Sequence, residues 1–165
     1  MSSARSQGRR LALKILFAHD MSENNPGSWD HLVQMAAPKA PQIVKDFARQ
    51  IVEGLLHVRP LLDQTIESTL KDWKIDRLHP IELNILRIGI YELTYCPDIP
   101  AMVAVNESVD LAHRFGDETA WRLVNGILDQ VGKVRLEAEA KPSPPQGEDD
   151  RKSGKQPESF QQEKG

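Results

Sequence analysis

Residues 80–95, PIELNILRIGIYELTY, constrain the fold more than any other stretch of the chain. Pro80 suits the first turn of a helix, and Ile81, Leu83, Ile85, Leu86, Ile88, Ile90 and Leu93 then fall on nearly every side of it. A helix apolar on most faces has to be central, so the remaining segments must wrap it. Elsewhere apolar residues recur at helical spacing, while alternating strand patterns and a hairpin signal between strands are missing. The expected fold class is all-α.

Around that helix the pattern predicts a first helix from about Ala4 or Arg9 to Met21, burying Ala12, Ile15, Leu16 and His19, before the loop SENNPGS. A short second helix carries Trp29, Leu32, Val33 and Ala36 and stops at Pro38. The third begins near Pro41 and aligns Ile43, Phe47, Ile51 and Leu55 at intervals of four. Pro60 marks the start of a fourth, with Leu62, Ile66 and Leu70 inward and Trp73 just beyond. The expected architecture is about seven helices in two packed sub-bundles, about 4–58 and 59–138, forming one cooperative body over 1–140. From 141 to 165 the composition changes to four prolines, three glycines and mixed charge, with Phe160 the one large apolar residue. Such a segment buries too little to offset chain entropy, and a disordered tail is expected.

A formal net charge of −3 over 165 residues excludes a uniformly basic nucleic-acid binder, so any RNA contact must come from a local patch. One candidate stands at the start, where Arg5, Arg9, Arg10 and Lys14 precede the first acid, Asp20. A merely solvated basic face has the same signature. The lone Cys96 cannot form an internal disulfide, and neither cysteines nor the five histidines, spread over different elements, have metal-ligand spacing. No catalytic residue, metal or cofactor is therefore expected. The opening residues lack the apolar core of a signal peptide, and no run approaches a membrane span, so a cytoplasmic protein without membrane association is expected.

Residues 102–131, MVAVNESVDLAHRFGDETAWRLVNGILDQV, read as two amphipathic helices. Val105, Val109 and Ala112 line the first, Phe115 and Gly116 close it, and Asp117 or Thr119 caps the second, whose stripe is Ala120, Leu123, Val124, Ile127, Leu128 and Val131. Asn106, Glu107, Asn125 and Gly126 interrupt these stripes. Gly89 and Gly126 lie inside helices, which suggests close helix approach; Asn106 is placed to tie down the 96–101 loop, and Asn125 fits a similar tie or an RNA contact. This stretch resembles the C-terminal signature of the NusB family of bacterial transcription antitermination factors, close to VAINEAVELAKxFG followed by xxFVNGVL. ILRIGIYELTYCPDIP is similar to the family's LRIAxYEL segment and its proline-bearing loop, and RSQGRRLALKILFAHDMSENN to its Arg-bearing opening helix, RRxARxxALQALY.

The resemblance covers residues 4 to about 135 and implies a non-catalytic RNA-binding adaptor. Its implied ligand is the single-stranded boxA element of ribosomal RNA leaders and other nascent transcripts. Its implied partners are NusE, a ribosomal protein that doubles as a transcription factor, and elongating RNA polymerase with other Nus factors. Carried over by position, the RNA contacts are Arg5, Arg9, Arg10, Lys14 and Phe17 from the opening helix, with Arg122 and Asn125 from the VNG segment, while Asp76 and Glu82 are the acids placed to meet NusE. The chain departs from the family where Ser6, Gln7 and Gly8 dilute the Arg run, Phe17 replaces tyrosine and Leu123 replaces phenylalanine. Two other readings compete. A related domain occurs fused to ribosomal RNA cytosine methyltransferases, but this chain has no room for a cofactor-binding α/β domain; a protein-only helical scaffold is the third. Free monomer and homodimer are both compatible with the sequence.

Overall fold

The central helix of the computed structural model is α4, Pro80–Tyr95, in which every residue from Asn84 to Ile90 is buried together with Glu92 and Leu93. It packs against α1 (Ala4–Met21), α3 (Gln42–Thr69), α5 (Ala101–Phe115) and α6 (Ala120–Ala140). A short α2 (Trp29–Ala36) leans on α1, and a 3-10 turn, Ile75–Arg77, links α3 to α4. The structure describes residues 2–23 and 25–142; the tail expected over 141–165 lies outside them apart from its first two residues. Among the described residues the regular structure is wholly helical, with six α-helices and one 3-10 turn, and no helix is long and apolar enough to cross a membrane.

The expected fourth helix does not start at Pro60. α3 continues through it for 28 residues, because Leu55, Leu62 and Ile66 are all buried and hold both halves against the same core. Pro60 itself is exposed, so the Leu56 carbonyl that loses its helical donor lies where the helix can lean toward water. The inner face of α3 is also displaced from the one expected. Ile43 is 65% exposed, whereas Val44, Ala48, Ile51, Val52 and Leu55 are buried. Phe47 is half-buried and lies over Gly8 of α1.

Gly89 is where three helices crowd: a Cβ there would come 2.7 Å from Leu128 Cδ1 on α6 and 2.7 Å from Ser108 Oγ on α5. Gly126 is different. It is exposed and a Cβ would meet nothing within 4 Å, so the close approach expected there is absent. Gly116 terminates α5, and Asp117 Oδ1 then accepts from the backbone N–H groups of Thr119 (2.8 Å) and Ala120 (2.8 Å) to open α6. Those donors hold the Asp117 carboxyl below the usual carboxylate range.

Asn106 is exposed and does not hold the 96–101 corner; α6 does. The Arg135 guanidinium donates to the carbonyls of Glu92 (3.2 Å) and Leu93 (3.0 Å) at the end of α4 and also to that of Ile99. Glu139 accepts the Ala101 amide at 2.7 Å, the first residue of α5.

These two glycines give opposite expectations. Gly89→Ala should destabilise the fold by about 1–3 kcal/mol through overpacking, whereas Gly126→Ala should stabilise it by about 0.4–1 kcal/mol by restricting the unfolded chain. Urea unfolding of both variants beside the wild type measures the difference.

Candidate nucleic-acid interface

The four cations of the opening helix do not share a face. Arg9 is 1% exposed and its Nε lies 2.7 Å from Glu92 Oε1 on α4, itself fully buried. Its Nη1 is 3.8 Å from Glu107 on α5, whose Oε1 also accepts from Ser6 Oγ at 2.6 Å. Arg9 therefore faces inward and is not open to a phosphate. Burial pushes the Glu92 carboxyl above the usual carboxylate range, and the bond from Arg9 only partly opposes it, since Glu92 Oε2 and Arg9 Nη2 have no hydrogen bond among the described residues. Arg5 is exposed but turns toward Asp98, 3.7 Å away, and over the Phe47 ring.

Arg10, Lys14 and Phe17 follow one another at helical spacing on the outer side of α1, with Lys14 exposed and the other two half-exposed. Arg10 donates to Ser2 Oγ at 2.7 Å. It also borders a cavity of about 660 Å³ between α1 and α5, together with Ser6, Asp110, His113 and Arg114. Across that cavity's edge the His113 ring stacks on Trp121 of α6, centroids 5.4 Å apart, and the Arg122 guanidinium sits 5.3 Å from the same indole. The structure thus joins Arg10 to Arg122 through two residues that sequence reasoning passed over, His113 and Trp121. Asn125 lies further along α6, half-exposed, with its amide 3.3 Å from Asp129.

The acids expected to meet a protein partner lie at the opposite approach to α4. Asp76 is exposed on the 3-10 turn. Glu82 is half-buried, accepts from the His79 backbone N–H at 3.3 Å and borders a second cavity of about 590 Å³. Trp73, 62% exposed, and Leu123 also line it.

The sequence model of the NusB family matches residues 6–133. The chain belongs to that family. It is 41% identical over 133 residues to the transcription antitermination protein NusB of Myxococcus xanthus, with 78% of this chain and 94% of that protein covered. It is 37% identical over 128 residues to the NusB of Pelotomaculum thermopropionicum, covering 78% and 88%. Among solved structures, NusB of T. maritima superposes with a TM-score of 0.72 at 28% identity, over 84% of this chain and 97% of that one. A structure of the antitermination factors NusB and NusE in complex with double-stranded RNA superposes with a TM-score of 0.71 at 29% identity, over 81% and 99%.

Within this NusB fold Arg9 is a structural residue rather than an RNA contact, and one sequence signal could have shown it. Glu92 lies in a helix that is apolar nearly all round, and a carboxylate there needs a buried cation. Arg9→Met should leave Glu92 without its partner and destabilise the protein by about 3–5 kcal/mol at neutral pH. The raised carboxyl fixes the sign of the pH effect: protonation of Glu92 is favoured by folding, so its contribution is full in acid and is lost as pH rises through the displaced value. The Arg9→Met deficit should accordingly shrink on acidification, as urea titrations at mildly acidic and neutral pH would record.

Proposed function

We propose that this NusB-family protein is a non-catalytic adaptor that binds single-stranded RNA of the boxA type on nascent transcripts in the cytoplasm. It does so together with NusE and passes the complex to elongating RNA polymerase and the other Nus factors. The observation that carries the reading is the outer face of α1, where Arg10, Lys14 and Phe17 lie in a row with no acid of α1 before Asp20. Two cations and a ring at one-turn spacing match what single-stranded RNA requires: charges that track phosphates and a surface on which an unpaired base stacks. Arg122 and Asn125 on α6 extend this surface, while Arg5 turns to the other side of α1 toward Asp98 and Phe47, and Arg9 holds α1 from within. For NusE, Glu82 lines the second cavity with Asp72, Asp117 and Trp73, and Asp76 is exposed on the neighbouring 3-10 turn, so these acids offer a basic protein charge complementarity beside a ring to bury, with Lys71 and Arg77 at the same wall.

The test is an RNA-binding titration over a range of salt, with and without NusE. Each phosphate contact on single-stranded RNA contributes about 0.7 to the slope of log affinity against log salt. Changing Arg10 and Lys14 together to alanine should weaken binding and flatten the slope by about 1 to 1.5 units, with the helical circular dichroism unaltered. Unchanged affinity and slope would move the RNA site off α1 and favour a protein-only scaffold. Asp76→Lys should slow association with NusE, most visibly at low salt, and leave binding of RNA alone unaffected.

A further inference from the structure

We propose that the 660 Å³ cavity between the start of α1 and the end of α5 seats one nucleotide of the bound RNA, with the His113–Trp121 ring pair as its base platform; this rests on the RNA-binding reading above. The cavity falls within the roughly 300–1,000 Å³ typical of small-ligand sites. Two cations from different helices reach it, Arg10 from α1 and Arg114 from α5. Neither is committed to a carboxylate: Arg10 donates to the Ser2 hydroxyl at 2.7 Å, and Arg114 is exposed with no ion pair among the described residues. A phosphate can therefore be taken up without breaking a salt bridge.

The base follows from the rings. His113 borders the cavity and is exposed, while Trp121, 5.4 Å away at an interplanar angle of 22°, backs it from α6 and is half-buried. Near-parallel rings at the rim of a cavity that also holds two arginines form a surface on which an unpaired base extends the stack. Leu123, an aliphatic residue two positions further on, offers no such plane. The sugar follows from Asp110. It lines the same cavity, is exposed, and as a carboxylate can only accept hydrogen bonds, so it repels a phosphate and suits the ribose 2′-hydroxyl, which DNA lacks. Glu107, the other acid of the wall, is already engaged by Ser6 at 2.6 Å and by Arg9 at 3.8 Å.

The experiment is fluorescence anisotropy of the full chain with a labelled single-stranded boxA-type RNA and with DNA of the same sequence, thermal melts reporting the fold of each variant. His113→Ala and Trp121→Ala should each weaken RNA binding about tenfold, the loss expected of one stacked base, and Trp121→Phe should restore most of it. Asp110→Ala should narrow the preference for RNA over DNA several-fold. Because His113 is exposed, its variant tests the platform even if Trp121→Ala fails to fold. The nucleotide seat is overturned if His113→Ala binds RNA like the wild type, or if Asp110→Ala leaves the preference intact, while the Arg10 and Lys14 double variant still weakens binding. A wild-type chain that binds no RNA, alone or with NusE, overturns the underlying reading as well.

Discussion

Arg9 and Glu92 meet 2.7 Å apart with both side chains withdrawn from water, and the placement of α1 depends on that pair. α4 is enclosed by four other helices, so the polar side chains it buries, Asn84, Arg87 and Glu92, need partners within the protein. A second set of ties lies toward the other end of α1. Arg87 donates to Asp63 of α3 at 2.6 and 2.9 Å and to Asp20 of α1 at 3.1 Å, and Asn84 donates to Asp20 at 2.9 Å. Residue 9 thus meets residue 92 while residue 20 meets residues 84 and 87, which sets α1 antiparallel to α4 and pinned near both ends. Buried ion pairs add little net stability over apolar packing, yet breaking one leaves an uncompensated charge costing about 3–5 kcal/mol. Their effect is therefore on register: sliding α1 by one turn would strand both ends at once.

That register decides which cations reach solvent. Of the four near the start of the chain, Arg9 is neutralised inside, and Arg5 leans toward Asp98. Arg10 and Lys14 remain, and the end of α5 adds His113 and Arg114 beside them. The basic surface is assembled from three helices, α1, α5 and α6, and is richer in rings than the opening segment suggests.

How much of this was legible depended on the range of the forces involved. The centrality of α4 could be read because a helix apolar all round has one solution, and the boundary at Gly116 and Asp117 because caps act over three residues. Asp117 was one of two caps the pattern allowed, and the hydrogen bonds select it. Arg9 was not legible from its own surroundings, since its partner lies 83 residues away and its neighbours look like a solvated basic face. Pro60 misled because proline reads as a helix start, while burial of Leu55, Leu62 and Ile66 overrides the single lost hydrogen bond. Gly126 and Gly89 look alike in sequence; only the positions of Leu128 and Ser108 separate them. His113 and Trp121 lie eight residues apart on separate helices, and nothing local announces that their rings meet.

The clasp formed by Arg135 and Glu139 has a consequence for how the chain is made. One turn of α6 supplies the donors for the carbonyls that end α4 and the acceptor for the amide that begins α5. Those two helices are complete in the chain long before α6 is, so during synthesis their shared corner waits open until residue 139 has left the ribosome. At about 5–20 residues per second the delay lasts a few seconds, and until Val124, Ile127 and Leu128 have emerged the apolar faces of α4 and α5 stay uncovered by α6. The corner between α4 and α5 is thus among the last parts of the described fold that can close as the chain is made.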